Sequence, residues 1–478
     1  MEKTLAGPMN VDLEAVRLIP EPLAREHLIL GTALSGETLV VLAPEGVSPF
    51  ALEEVRRRTG RTLTVEHGKP EALGRAIRYY YAELEAQKAA GGLLEAGTDV
   101  VTLLDRLIRR AMALRASDIH IEPYEQKTLV RMRIDGVMVD DAALPAALHQ
   151  SLSARVKVLS NLDITERRLP QDGHFRMAAE GVNIRVSVLP TVFGEKAVLR
   201  LLAAQGQVED HGERFGMDGE TYRRFLPLLS VPNGIIYLTG PTGSGKSTTL
   251  YMILEHLARG SVNISTIEDP VEKHIYRVNQ TQVDVKTGLT FEKGLRAILR
   301  QDPDVIMVGE TRDGETAEIS VRAAITGHVV LSTLHTNSAA ASILRLADMG
   351  VERYLIASSL TAVVAQRLLR KTCPDCGREE PATEEERALW GMDLTTVRRG
   401  HGCRFCSGTG YRGRTAIHEL LVVDRSLRRM IARGAEMEDI EDYARKEQGM
   451  RTLQEQVADL VRRGVTTPEE ALRAASYE

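Results

Sequence analysis

Residues 233–258 read NGIIYLTGPTGSGKSTTLYMILEHLA. Ile235 to Leu238 are continuously apolar, as in a parallel strand buried on both faces. Gly240, four intervening residues, then Gly245-Lys246-Ser247 complete the spacing of a phosphate-binding loop. Leu250, Ile253, Leu254 and Leu257 then recur at helical spacing. Strand, glycine-rich turn and helix are the context the motif needs. Gly243 and Gly245 let the backbone bend so that its N–H groups converge on phosphate oxygens, and the following helix adds partial positive charge there. The expected nucleotide-binding residues are Gly240, Pro241, Thr242, Gly243, Ser244, Gly245, Lys246, Ser247 and Thr248. Lys246 places its ammonium near the β- and γ-phosphates, and the Ser247 hydroxyl can ligate Mg²⁺.

Three more stretches bring polar residues to the ends of apolar strands. DVIMVGETRD (304–313) runs into Gly309 and Glu310, where a carboxylate can orient or deprotonate water. STIEDPVE (265–272) supplies Glu268, Asp269 and Glu272, able to order water around Mg²⁺ or to cap a turn. GHVVLSTLHTN (327–337) ends on His335, which can sense a γ-phosphate or link neighbouring sites. Ligands of a parallel α/β sheet bind outside the carboxyl ends of its strands, and all four stretches put their polar residues there.

The 478 residues suffice for two to four domains. A net charge of -5 gives no whole-chain attraction for nucleic acid or membrane. No apolar run approaches the ~20 residues of a spanning helix, and MEKTLAGPMNVDLEAVR lacks the apolar centre of a secretory signal. A reducing cytosol is therefore expected, with any membrane role exercised through protein partners. Residues 1–88 read as a small α/β module: strands in ETLVVLAP (37–44) and TLTVE (62–66), a capped helix in SPFALEEVRRRTG (48–60), and a helix over 70–86 whose three consecutive tyrosines read as core packing before partner surface. Glycine-rich stretches at 86–99 and 203–220 read as linkers. Between them, a helix with Leu103, Leu107 and Ala111 on one face precedes strand patterns in TLVRMRIDG (128–136), GVNIRVSVLPT (181–191) and KAVLRLLA (196–203).

All four cysteines lie in two Cys-x-x-Cys pairs, Cys373/Cys376 and Cys403/Cys406, 26 residues apart. Four thiolates on two knuckles suit a tetrahedral metal. Zinc is expected, although four sulfurs also accept iron. A closed four-sulfur site leaves no position for substrate, so its role is structural; redox chemistry is the weaker reading. A DNA motor is disfavoured, because the segment carries acidic EE and EEE runs and no interleaved aromatics for base stacking.

GPTGSGKSTTL, TIEDPVE, LRQDPDVIMVGETRD and TGHVVLSTLHTN resemble the Walker A, Asp box, Walker B and His box of secretion ATPases, the hexameric motors of type II secretion and type IV pilus assembly. ASDIHIEP (116–123), RIDG (133–136) and RLPQDG (168–173) resemble that family's second N-terminal domain. VVAQRLLRKTCPDCG (363–377) resembles its passage into the metal segment, which follows a helix expected to end near Arg370. The resemblance implies an α/β fold: a RecA-like P-loop NTPase motor (221–478) with a four-cysteine zinc insertion at about 371–412, preceded by two smaller α/β domains (1–88 and 98–204). It implies ATP as substrate with Mg²⁺, Glu310 as catalytic glutamate, Glu268, Asp269 and Glu272 in the Asp box, and His335 in the His box. Arg133 and Arg155 of the second domain, and Arg296 and Arg300 of the motor, are implied nucleotide contacts. Thr311 departs from the family's pattern, which carries an apolar residue there.

The resemblance further implies a homo-hexamer driving an inner-membrane platform protein and a pseudopilus, recruited to the cytoplasmic membrane by the cytoplasmic domain of a membrane-anchored secretion protein. Pilus extension is the alternative motor role. Pilus retraction fits less well, since that branch resembles a shorter protein without the cysteine segment. A non-hydrolysing nucleotide-binding scaffold is the alternative of a different class.

Overall fold

The computed structural model describes residues 11–70, 72–74, 76–77, 80–81, 84, 99–177, 182–202, 215–391, 393–406 and 408–475. The expected linkers fall mostly outside these residues. The chain forms two compact units: residues 1–206 with 373–378 and 400–412, and residues 207–372 with 379–399 and 413–478.

In the first unit, β1 (Leu30–Ser35), β2 (Thr38–Ala43) and β3 (Thr62–His67) form a three-stranded sheet, antiparallel between β1 and β2 and parallel between β2 and β3. β1 was not anticipated from sequence. The helix Pro49–Thr59 begins on proline and stops at Gly60 with φ 65°, a left-handed turn that favours glycine. Of the three tyrosines, Tyr80 and Tyr81 are buried, and the Tyr81 hydroxyl donates to the Ile19 carbonyl at 2.5 Å. Core packing is their role; Tyr79 lies outside the described residues.

A second sheet in this unit is wholly antiparallel, in the order β6-β5-β4-β9-β8-β7. Its strands are β4 (Ala116–Pro123), β5 (Lys127–Ile134), β6 (Val137–Pro145), β7 (Gln171–Met177), β8 (Val182–Thr191) and β9 (Gly194–Leu202). Leu103, Leu107 and Ala111 of helix Val100–Ala113 pack on this sheet's apolar residues, as their spacing predicts. Gln171 of RLPQDG closes the loop before it, donating to the carbonyls of Asp163 (2.9 Å) and Glu166 (3.0 Å).

The second unit is built on a seven-stranded sheet in the order β12-β11-β13-β14-β10-β15-β18. These are β10 (Gly234–Thr239), β11 (Ile264–Glu268), β12 (Val278–Gln282), β13 (Val305–Val308), β14 (Val329–Leu334), β15 (Leu360–Thr372) and β18 (Tyr411–Val422). The run from β12 to β15 is parallel throughout. Every residue of β10 is buried. Ile235 and Tyr237 enter one core with Ala317 and Val321 of helix Gly314–Ile325, while Ile236 and Leu238 enter another with Leu250, Ile253 and Leu254 of helix Lys246–Leu257. Both faces being covered explains the uninterrupted apolar run.

The stretch before the first cysteine pair is strand, not the expected helix. Leu360 to Ala365 pair in parallel with β10 and are buried on both faces. A short, wholly apolar run has no period to separate strand from buried helix, and here the sheet edge left by β10 decided it. β16 (Gly377–Pro381) and β17 (Thr396–Gly400) pair beside the cysteine knuckles. Arg399 of β17 meets one acid from each acidic run, Glu380 of β16 (3.1 Å) and Glu386 (2.5 Å), and a third, Glu469, from the helix Pro468–Ala475.

Candidate active site

The parallel register sets Thr239 of β10 level with Leu334 of β14 on one side and Ala365 of β15 on the other. Just beyond this line the chain turns through Gly240–Gly245 and enters helix Lys246–Leu257. Gly240, Gly243 and Gly245 have φ of 143°, 80° and 91°, values L side chains rarely adopt. The Lys246 ammonium folds back on the loop, donating to the carbonyls of Gly240 (2.7 Å) and Pro241 (3.1 Å). Burial, with the nearby Arg367 charge, pulls its pKa down to about 8, against the opposing pull of Glu310. A desolvated cation held by carbonyl oxygens is poised for an anion. Ser247 is exposed at the start of the helix.

Glu310 follows β13 by two residues, with its side chain 15% exposed. Its Oε1 lies 2.7 Å from Arg312 Nη2 and its Oε2 3.7 Å from His335 Nε2. The structure thus brings Glu310 and His335 together at neighbouring strand ends. Burial and then the Lys246 charge hold His335 below its ordinary pKa, while Glu310 pulls the other way. The unexpected Thr311 is buried, its hydroxyl bonded to Ser332 Oγ of β14 at 2.9 Å. A paired hydroxyl replaces the apolar contact. Asp313 caps helix Gly314–Ile325 by accepting from the Thr316 N–H at 2.8 Å.

The three Asp-box carboxylates separate. Glu268 ends β11 and is 3% exposed. Its Oε2 accepts from the Tyr251 hydroxyl, and its Oε1 from Thr266 Oγ1 (2.5 Å) and Gln280 Nε2 (3.1 Å). Tyr251 Oη also accepts from the Glu272 N–H at 3.0 Å, so one phenol on the phosphate-loop helix holds both ends of the box. Asp269 and Glu272 are exposed. Sequence reasoning did not single out Tyr251; an aromatic on a mixed helix carries no local sign of its partners.

Of the arginines, Arg296 pairs with Glu292 (2.9 Å) and Glu315 (3.6 Å), and Arg300 donates to the Arg296 carbonyl at 2.7 Å. Both are exposed. Arg133 and Arg155 lie in the first unit. Arg133 Nη1 donates to the Gly136 carbonyl at 3.0 Å, with Nε 3.7 Å from Asp118. Arg155 Nε is buried with no hydrogen-bond partner among the described residues.

The four cysteine sulfurs lie within 4.8 Å of one another. Cys373–Cys403 and Cys376–Cys406 are 3.8 Å apart and Cys403–Cys406 3.7 Å. A tetrahedron with metal–sulfur bonds of ~2.3 Å has sulfur–sulfur edges of about 3.8 Å, so the set fits a metal and is too open for disulfides. The N–H groups of Cys403 (3.1 Å) and Gly410 (3.2 Å) donate to Cys406 Sγ, favouring thiolate. Arg412 is engaged by Asp375 at 3.2 Å and stacks on Phe405 at 5.9 Å.

Residues 95–473 match the family described as Type II/IV secretion system protein. The chain belongs to that family. Residues 5–87 match the MshEN domain. Type II secretion system protein E of Aeromonas hydrophila is 42% identical over 95% of this chain and 96% of that protein. Type IV pilus assembly ATPase PilB of Thermus thermophilus is also 42% identical, over 96% of this chain, which spans only 54% of that relative's length. Among solved structures, the pilus retraction motor PilT with bound ADP aligns with a TM-score of 0.53 and 28% identity, over 77% of this chain and 95% of that one. The secretion family is thus the family that the four motifs resemble.

Proposed function

We propose that this secretion ATPase powers pseudopilus assembly and protein export by a type II secretion system. The observation that carries it is the end-to-end match to a type II secretion protein, joined to a phosphate loop whose lysine feels the charge of the strand-end Glu310. The chain is an ATP hydrolase. Pilus extension is the second reading, favoured by the Thermus relative.

Lys246 and the loop N–H groups bind the β- and γ-phosphates, and Ser247 offers its hydroxyl to Mg²⁺. When bound, that ion neutralises phosphate charge. Glu310 aligns a water for attack and takes its proton as the new bond to γ-phosphorus forms. The bond to the bridging oxygen breaks, giving ADP and phosphate. The Arg312 pair does not prevent this, because its guanidinium is 70% exposed and such pairs are weak. His335, neutral in this setting, stands beside Glu310 to report the γ-phosphate. Asp269 and Glu272 order water at the metal, and Glu268 with Tyr251 fixes their loop.

Cys373, Cys376, Cys403 and Cys406 hold a structural zinc. Arg133, Arg155, Arg296 and Arg300 meet nucleotide in a homo-hexamer. Its cycles move an inner-membrane platform protein, and a membrane-anchored secretion protein recruits the ring to the cytoplasmic face. Among the described residues no helix is long and apolar enough to cross a membrane.

Purified wild-type chain is expected to release phosphate from ATP. Glu310→Gln should lower kcat at least 100-fold while ADP affinity stays within threefold of wild type. Equal rates for the two proteins would sink the assignment of Glu310, and no hydrolysis by wild type would favour a scaffold.

A further inference from the structure

The P-loop motif needs its glycines for phosphate, yet in this fold two of them are also closed in from behind. Gln366 of β15, one residue past the register line through Thr239 and Ala365, lies against the loop. A Cβ on Gly240 would come 2.4 Å from the Gln366 carbonyl oxygen, and one on Gly245 would come 2.7 Å from Gln366 Nε2. The side chain is 2% exposed and satisfied at both ends: Nε2 donates to the Ser244 carbonyl (2.9 Å), and Oε1 accepts from the Thr249 hydroxyl (2.9 Å). Its neighbour Arg367 donates from Nη2 to the Asn337 carbonyl at 2.8 Å, in the loop that carries His335. The middle of β15, where it runs past the end of β10, therefore touches both the phosphate loop and the His-box loop.

Peptide geometry gives the Gln366 bond a direction. In a planar trans peptide the carbonyl of Ser244 and the N–H of Gly245 point opposite ways. Anchoring the carbonyl against β15 turns the Gly245 N–H away from the sheet, toward the mouth of the loop where phosphate binds. We propose that Gln366 is a positioning residue of the nucleotide site: its amide locks the Ser244–Gly245 peptide in the phosphate-binding orientation before nucleotide arrives. This rests on the nucleotide site assigned above. Loss of the lock costs affinity for the diphosphate and raises KM, because binding must then order the peptide.

The test uses fluorescent ADP titrations of the full-length chain at pH 8 and pH 6, each variant against wild type at the same pH. Lys246→Ala serves as control and should lose binding. Gln366→Glu sets a carboxylate against the Ser244 carbonyl and should bind at least tenfold more weakly at pH 8. At pH 6 it should recover to within threefold, because burial at this position raises the new carboxyl's pKa well above the ordinary range, and the neutral acid again offers a donor to Ser244 and an acceptor to Thr249. Gln366→Leu should stay weak at both pH values. Thr249→Val, which leaves the Ser244 bond intact, should remain within threefold of wild type. Recovery measured on one Gln366→Glu sample cannot come from a misfolded chain. Wild-type affinity in both Gln366 variants overturns the proposal, as does weakening of Gln366→Glu that pH does not reverse. In either case, normal behaviour of wild type and Lys246→Ala leaves the nucleotide site standing. Wild type that binds no ADP overturns the nucleotide site itself.

Discussion

Lys246 is where local sequence and tertiary setting meet. The motif places the ammonium in the loop, but its depressed pKa comes from burial and from Arg367, 121 positions along the chain. With the native value near 8 and an ordinary value of 10.5, the unfolded chain binds more protons between those limits. This lysine's contribution to stability therefore rises with pH across that window. Bound phosphate acts oppositely, favouring the charged form. At pH 8, ADP binding should take up roughly half a proton, and affinity should fall as pH rises further. Calorimetry in two buffers of different ionisation enthalpy measures the uptake. Lys246→Arg, charged throughout, should show none.

Among the elements, the cysteine segment was readable from spacing alone, because two close pairs can reach one ion in few ways. The sulfur edges of 3.7–3.8 Å agree with that reading. β15 was not readable. Its apolar run suits a helix as well as a strand, and only pairing with β10 decides. That misreading also hid Gln366, since a polar residue inside a buried strand is conspicuous while one on a helix is ordinary. Metal analysis is expected to find about one zinc per chain, and Cys403→Ser should lose it. Because ligands and fold are coupled at such sites, the variant should gain protease cuts between residues 373 and 410, while ADP binding in the motor stays within threefold. Unchanged zinc content would falsify the four-cysteine set.

At the scale of the whole molecule, assembly should govern the rate. An arginine acting on a neighbour's nucleotide contributes only when subunits are joined, and such residues are worth roughly 10³–10⁵ in rate. Specific ATPase activity should therefore rise with protein concentration, in step with a hexamer seen by analytical ultracentrifugation. Arg133→Ala or Arg155→Ala should lower kcat at least tenfold without dispersing that hexamer or changing ADP affinity. Activity independent of concentration would argue for a self-sufficient monomer, and arginine variants with wild-type kcat would remove those residues from the site.

The amino-acid sequence determined the features that short range can specify. These are a strand–loop–helix with glycines at the required bends, carboxylates and a histidine at strand ends, and thiols at metal spacing. Each depends on residues a few positions apart, so local order carries it. Tertiary structure decided how those pieces face one another. It turned Glu268 inward onto Tyr251 and set Glu310 beside His335. It also laid β15 along β10 so that Gln366 underlies the phosphate loop. Those relations join residues up to 122 positions apart. They follow from sheet order and register, which no local pattern encodes.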